Sequence, residues 1–170
     1  MRQDKSRDTA DSTDDAPIQL LTFSLDGGIY GVDILQVREI RGWTPVTPIP
    51  QSPPCMLGVL NLRGEILPVV DLRARLALPL AEFTDLTVVI VLTVETASGQ
   101  RECGVVADNV QDVIDISAQN IRPAPAMHGG SAGEFIQGIV TLDQGMLILL
   151  KVDELVRRDL PVDPPAVTAA

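Results

Sequence analysis

The chain has 170 residues, of which 45% are hydrophobic, so it can bury the core of one domain or of two small, closely packed ones. Its net charge is −10 at pH 7, and the sequence contains no basic stripe that could neutralise phosphates. This excludes a typical nucleic-acid-binding protein and disfavours contact with an anionic membrane surface.

The two ends of the chain differ from the middle in composition. Residues 1–16 are polar and rich in aspartate, and residues 159–170 contain three prolines. We expect both to be disordered tails that flank a folded region of residues 17–158. The first tail lacks the apolar segment of a secretory signal, and the apolar runs are too short to span a bilayer. We therefore expect a cytoplasmic protein.

Within the folded region, strand patterns dominate. "IQLLTFSL" and "IYGVDIL" flank Asp26-Gly27-Gly28, which predicts a hairpin because glycine allows the positive φ of tight turns. Residues 43–54 follow and contain five prolines, so they cannot form a central strand. "GVLNL" and "EILPVV" predict the next two strands.

The second half of the chain repeats this order. A long hairpin ("LTVVIVLTVE" to "ECGVVADNV") precedes a proline-bearing segment and the strands "FIQGIVTL" and "MLILLKV". "DLRARLAL" and "DELVRRDL" predict a short helix at the end of each half, the second of them C-terminal. Aromatic residues make up 3% of the chain, so Val, Ile and Leu must supply most of the core.

The parallel order of elements indicates an internal duplication. The matching positions are Gly31 with Gly104, Gly58 with Gly138, Leu62 with Leu142, Gly64 with Gly145 after one inserted residue, and Asp71 near Asp153. A chance match between strands rich in aliphatic residues is the alternative. One sheet of this size would leave edges and apolar surface exposed. We therefore predict an all-β fold of two five-stranded β-barrels, approximately residues 18–80 and 85–156, and this prediction allows for an exchange of strands between them.

Residues typical of catalysis or metal binding are scarce. His128 is the only histidine, and Cys55 and Cys103 are far apart, which disfavours a zinc site. There is no phosphate-binding loop, dinucleotide fingerprint or nucleophile elbow. Asp71 and Asp153 are interpreted as caps of short helices. The sequence predicts a binding module without a cofactor; a small β-barrel enzyme with paired carboxylates is the alternative from another class.

Two charged residues have no obvious structural purpose. Glu39 ends an apolar run, and Arg63 ends the strand 58–62 at the tip of an apolar hairpin. If both halves fold alike, the two residues lie at strand ends of the same barrel and can pair. In the second half, Asp112 stands where Glu39 stands, but Asp143 and Gln144 replace Arg63. This difference suggests that one barrel alone carries a partner contact.

Several motifs in this order resemble the CheW family of bacterial chemotaxis coupling proteins: "YGVDILQVREIRG", "GVLNLRGEILPVVDLR", "TVVIVL", "GVVADNVQDVIDIS" and "QNIRPAP". The resemblance covers residues 18–156 and implies two five-stranded, SH3-like barrels around a shared apolar interior. It also implies an adaptor that binds the regulatory domain of the histidine kinase CheA and the cytoplasmic hairpin tip of methyl-accepting chemoreceptors. Such an adaptor is recruited to receptor arrays at the membrane and has no enzymatic activity.

The same resemblance implies which residues make these contacts. In the family the receptor tip lies in the cleft between the barrels, and the matching positions here, with their neighbours, are Val37, Glu39, Asn61, Leu62, Arg63 and Gly64. Thr47, in the connector of residues 43–50, matches a position near the kinase contact. The chain departs from the family in its extra prolines in this connector and in a longer "ETASGQ" loop. A CheW-domain scaffold of a non-chemotaxis array is the alternative within the same family.

Overall fold

The computed structural model describes residues 16–125 and 131–157. His128 and the expected tails, apart from residue 16, lie outside this part of the chain. Within it are eleven strands: β1 (Ile18–Leu25), β2 (Gly28–Asp33), β3 (Val37–Gly42), β4 (Met56–Leu62), β5 (Glu65–Asp71), β6 (Val88–Thr96), β7 (Gly99–Ala107), β8 (Asn109–Ile116), β9 (Ile121–Arg122), β10 (Ile136–Leu142) and β11 (Gly145–Leu150). Helix α1 (Leu72–Arg75) follows β5, and helix α2 (Val152–Arg157) follows β11. Short 3-10 helices cover Ile34–Gln36, Ala118–Asn120 and Ser131–Phe135.

The strands form two sheets. Sheet A has the order β8-β1-β2-β11-β10-β9, and sheet B has the order β3-β6-β7-β5-β4. Each sheet has five full strands, because β9 contains only two residues. The predicted all-β class, with two small barrels and short helices, is confirmed.

Each sheet combines strands from both halves of the chain. The first hairpin, β1–β2, lies in sheet A between β8 and β11, and the later hairpin, β6–β7, lies in sheet B between β3 and β5. The joins are equivalent: β2 runs parallel to β11 with Gly31 opposite Leu149, and β7 runs parallel to β5 with Gly104 opposite Val69. The two halves have therefore exchanged their first hairpins.

The second hairpin of each half shows where the sequence alignment was wrong. Both β4–β5 and β10–β11 are joined by two residues, Arg63-Gly64 in sheet B and Asp143-Gln144 in sheet A. Gly64 is therefore equivalent to Gln144 and not to Gly145, and there is no inserted residue. In the same register Asp71, the N-cap of α1, is equivalent to Lys151 and not to Asp153.

The segment that precedes the β4–β5 hairpin and the segment that precedes the β10–β11 hairpin pair with these hairpins at equivalent positions. Thr47 exchanges two backbone hydrogen bonds of 2.9 Å with Val59 of β4. In sheet A, Arg122 of β9 lies opposite Ile139 of β10. The proline-rich connector of residues 43–54 is thus fixed to the edge of sheet B, in agreement with the expectation that it is not a central strand.

The largest hydrophobic cluster lies between the sheets and contains side chains of both. Phe23 and Leu25 of sheet A, Leu92 of sheet B and Leu155 of α2 are at most 1% exposed in this cluster. Smaller clusters fill each barrel separately: one around Leu147 in sheet A, and two within sheet B. The predicted shared aliphatic interior is confirmed. None of the helices in the described part of the chain is long and apolar enough to cross a bilayer.

Candidate partner-binding site

The turn between β4 and β5 presents Arg63 to solvent. Arg63 and Gly64 both have positive φ, +54° and +89°, as the central residues of a type I′ turn require. The Asn61 side chain fixes the turn, because its Oδ1 accepts a hydrogen bond of 2.9 Å from the Gly64 N–H. The Arg63 side chain is 79% exposed. It therefore stands on a rigid support without being buried.

Arg63 is paired with Glu39. Arg63 Nη2 donates a hydrogen bond of 2.9 Å to Glu39 Oε2. Glu39 lies on β3 beside a register shift between Val37 and Glu39, where the pairing with β6 is irregular. The pair itself contributes little to stability, about 0–1 kcal/mol, because its arginine is solvated.

The second carboxylate oxygen of Glu39 is less well satisfied. Arg41 Nη1 lies 3.9 Å from Oε1, too far for a hydrogen bond. Oε1 is buried and has no hydrogen-bond partner. One oxygen of Glu39 therefore orients Arg63, while the other has the capacity to accept a bond.

The other receptor-facing positions inferred from the sequence differ in accessibility. Asn61 and Gly64 are exposed beside Arg63, but Leu62 is 8% exposed and packs with Leu67 and Val91 inside the barrel of sheet B. Val37 is half-buried against the shared core. Leu62 therefore supports the turn from below, and among these positions only Asn61, Arg63 and Gly64 are exposed.

Two concave surfaces adjoin the Glu39–Arg63 pair. A cavity of about 80 Å³ is lined by Glu39, Arg63 and neighbouring residues, and a groove of about 600 Å³ lies beside it. Arg38, Leu62 and Glu102 line both. All the lining residues belong to sheet B or its turn, so these surfaces lie on one barrel and not in a cleft between the two. The groove was not foreseen from the sequence.

Thr47 lies on a different part of sheet B. It is exposed, and its backbone is held by Val59. Its neighbour Val46 packs against the same cluster as Trp43, whose ring lies 4.1 Å from that of Phe83 (centroid to centroid). Phe83 is 41% exposed. The connector therefore borders an apolar surface.

Groups suited to catalysis are not assembled in the described residues. Residues 16–125 and 131–157 contain no cluster of three or more His, Cys, Asp or Glu side chains that could hold a metal ion. Cys103 is fully buried, and burial raises the pKa of its thiol to about 12, which disfavours the nucleophilic thiolate form. Asp71 caps α1 by accepting a hydrogen bond of 3.0 Å from the Arg73 N–H, as predicted. The prediction that Asp153 caps a helix is wrong, because Asp153 lies within the first turn of α2 and its Oδ1 accepts a bond of 3.2 Å from the Glu95 N–H.

A family model for the CheW-like domain matches residues 19–160. The chain belongs to the CheW family. The chemotaxis protein CheW of Klebsiella aerogenes is 43% identical over 137 residues, which cover 81% of this chain and 80% of that protein. The CheW of Rhizobium meliloti is 38% identical over 137 residues, which cover 81% of this chain and 86% of that protein.

A solved CheW structure agrees with this assignment. The crystal structure of the scaffolding protein TtCheW from Thermoanaerobacter tengcongensis matches with a TM-score of 0.75 and 30% identity, over 87% of this chain and 90% of that one. The predicted family is confirmed. As a CheW protein, the chain is a non-enzymatic adaptor of chemotaxis.

Proposed function

We propose that the chain couples methyl-accepting chemoreceptors to the histidine kinase CheA in the cytoplasm by binding both, and that it is recruited in this way to receptor arrays. The observation that supports this most directly is the exposed Arg63, which is oriented by Glu39 on a turn with positive φ. A non-glycine residue in the left-handed region costs free energy. An exposed ion pair contributes about 0–1 kcal/mol, which is less than the cost of about 1–2 kcal/mol for left-handed backbone, and this favours a role for Arg63 outside the fold.

The receptor contact follows from the chemistry of this surface. The guanidinium presents several N–H donors in a planar fork, which suits the carboxylates and carbonyl oxygens of a helical receptor tip. Apolar side chains beside it, such as Ile66 at 66% exposure, supply area for a helix to cover. A charged group at the rim of such a surface fixes register and excludes wrong partners. The contact proposed here comprises Val37, Glu39, Asn61, Leu62, Arg63 and Gly64, with the buried Leu62 acting as the support beneath the turn.

The kinase contact is assigned to the side of sheet B that carries Thr47. The connector of residues 43–50 is exposed at Thr47 and at Ile49, which is 43% exposed. Phe83 and Leu86, at 41% and 62% exposure, lie in the segment before β6. Exposed apolar groups of this kind, fixed in place by backbone bonds, are typical of protein–protein interfaces, and their burial against the regulatory domain of CheA would be favourable.

Receptor binding is tested by reversing the charge of Arg63. Titration of a purified receptor cytoplasmic fragment into Arg63→Glu should give an affinity at least about tenfold weaker than with the wild type. The reason is that the new carboxylate would repel the receptor oxygens that accept hydrogen bonds from the Arg63 guanidinium. Asp143→Arg reverses the charge at the equivalent turn of sheet A and should bind normally. Wild-type affinity in Arg63→Glu would remove this residue from the contact.

Kinase binding needs a separate experiment with the CheA regulatory domain. Thr47→Arg places a bulky cation on the proposed kinase surface and should weaken that complex while leaving receptor binding unchanged. Loss of both activities would indicate misfolding, which circular dichroism would reveal. A wild-type chain that bound neither partner would instead favour a scaffold of a non-chemotaxis array.

A further inference from the structure

The groove of about 600 Å³ lies where β5 and β7 are no longer paired, on the side of the ladder that precedes Val69 in β5. Their parallel ladder pairs Val69–Asp71 with Gly104–Val106 and does not extend to Pro68. In sheet A the equivalent ladder starts two residues earlier, with Leu147 opposite Ile29. Pro68 stands where sheet A has Ile148. Because proline has no N–H to donate, the ladder is interrupted there and the strands diverge.

The long β6–β7 hairpin forms the other wall of the groove. Both of its strands have nine residues, against eight and six for β1 and β2 of the equivalent hairpin. The extra length corresponds to the "ETASGQ" region. The groove is lined by Leu62, Ile66 and Leu67, of which Ile66 is the exposed one, and by Thr93, Arg101 and Glu102 of the long hairpin. Its volume falls within the range of about 300–1,000 Å³ that is typical of ligand sites.

One residue that lines the groove carries a polar atom without a hydrogen bond. Thr93 Oγ1 is buried without a partner. Thr93 lies two residues after Val91, which is opposite Gly104. In sheet A, Ser24 lies two residues after Thr22, which is opposite the equivalent Gly31. The Ser24 Oγ lies 3.5 Å from the Asn109 carbonyl oxygen. In the adjoining cavity, Glu39 Oε1 is also buried and unsatisfied. Unsatisfied buried oxygens cost free energy, and a bound group that supplied a donor would recover it.

We propose that this groove is a second subsite of the receptor contact, which accepts a carboxamide side chain, Asn or Gln, from the helix docked at Arg63. This inference rests on the receptor binding proposed above. The groove and the Glu39 cavity share Arg38, Leu62 and Glu102, so one helix can cover both. The carboxamide can donate to Glu39 or Thr93 and also accept from the Thr93 hydroxyl.

The charges of the groove favour a neutral head group. Arg38 Nε lies 3.1 Å from Glu102 Oε1, so this acid at the rim is already paired with a cation. The lining carries Arg38 and Arg101 against Glu65 and Glu102, which leaves no net charge to select a charged side chain. A carboxamide on an aliphatic stem matches both this balance and the apolar wall.

The test is a titration of the receptor cytoplasmic fragment into two groove variants. Thr93→Val removes only the hydroxyl and should weaken binding about three- to tenfold, the effect of one neutral hydrogen bond. Ile66→Asp should weaken it further. Met146→Asp is the matched control, because Met146 occupies the equivalent position of sheet A and is 65% exposed, against 66% for Ile66.

The outcomes separate the two proposals. If the wild type binds the fragment and Arg63→Glu does not, but both groove variants bind like the wild type, the subsite is wrong and the receptor contact stands. If the wild type itself does not bind, both proposals fail. In the supporting case, replacing one Asn or Gln of the fragment by Leu weakens binding to the wild type but has no further effect with Thr93→Val.

Discussion

Arg73 of α1 binds Asp108, which lies between β7 and β8, through two hydrogen bonds. Arg73 Nε donates to Asp108 Oδ1 at 2.9 Å, and Nη2 donates to Oδ2. The Asp26 N–H, in the β1–β2 turn, donates to the same carboxylate at 2.9 Å. The Arg73 side chain is 13% exposed. The ion pair therefore fastens the exchanged hairpin β1–β2 to the elements of sheet B.

Removing this carboxylate should destabilise the fold in a pH-dependent manner. We expect Asp108→Asn to lower the free energy of unfolding at neutral pH by about 1–3 kcal/mol, the contribution of hydrogen bonds to a charged group. The hydrogen bonds from Arg73 hold the pKa of Asp108 below its ordinary value. Such a carboxyl stabilises the folded state above its unfolded pKa of about 3.9, and this stabilisation is lost as the pH falls through the folded pKa.

The measurement is urea unfolding of both proteins at a series of pH values from neutral to acidic. The difference should be complete at neutral pH and shrink below about pH 4. Burial raises the pKa of the neighbouring Asp71, which contributes with the opposite sign, but Asp71 is present in both proteins. Asp115→Asn, at an exposed position on β8, should change stability by less than about 0.5 kcal/mol. A pH-independent difference for Asp108→Asn would contradict the assignment.

Gly58 should not tolerate even a methyl group. A Cβ at this position would lie 2.3 Å from the backbone oxygen of Thr47, which crosses directly above. Gly58→Ala must therefore displace the connector and should cost about 1–3 kcal/mol. Gly42→Ala on β3 is the control, since nothing lies within 4 Å of its Cβ. Chemical denaturation of the two variants measures the difference, and equal stability would show that the connector yields freely.

Gly64 should be sensitive to backbone strain and not to space. Its φ is +89°, and a Cβ there would meet nothing within 4 Å. Gly64→Val should lower the free energy of unfolding by about 1–2 kcal/mol, the cost of left-handed backbone for a residue with a side chain. Gly64→Asn should cost less, because asparagine adopts this conformation more readily. Thermal unfolding compares them, and an unaffected valine variant would contradict the turn geometry.

The two cysteines should differ in reactivity. Cys103 is fully buried, and burial raises the pKa of its thiol to about 12, whereas Cys55 is partly exposed. Iodoacetamide should therefore modify only Cys55 in the native protein and both cysteines in denaturant. Mass spectrometry counts the adducts. Rapid native labelling of Cys103 would show that the shared core opens readily.

Local sequence patterns predicted the strands and hairpins, but they left open which distant segments pair with one another. Alternating aliphatic strands and Asp26-Gly27 identified the first hairpin, and the order of elements indicated two barrels. No local feature of the sequence indicates that the β1–β2 hairpin pairs with β11 and not with the β4–β5 hairpin. The match of Gly64 with Gly145 failed because it aligned glycines by type, although Gly145 is already the first residue of β11, opposite Leu142.

The candidate site shows the same division. Contact between Glu39 and Arg63 could be anticipated because both close strands of one barrel. The groove could not, because it depends on where β5 leaves β7. A signal was present in the proline of "EILPVV", since a proline within a strand marks an unpaired edge. The sequence analysis predicted a strand through Pro68 and did not infer a break in pairing there.

The exchange of hairpins also orders events during synthesis. Sheet B is complete once Ala107 has emerged from the ribosome. Strand β2 ends at Asp33 and its partner β11 ends at Leu150, so β2 waits for about 120 residues, or about 6–24 s at about 5–20 residues per second. During that interval Leu20 and Phe23, both fully buried in the finished protein, lack their final partners. A nascent chain that stalls before β10 will present this hairpin to chaperones, and translation speed will influence the yield of native protein.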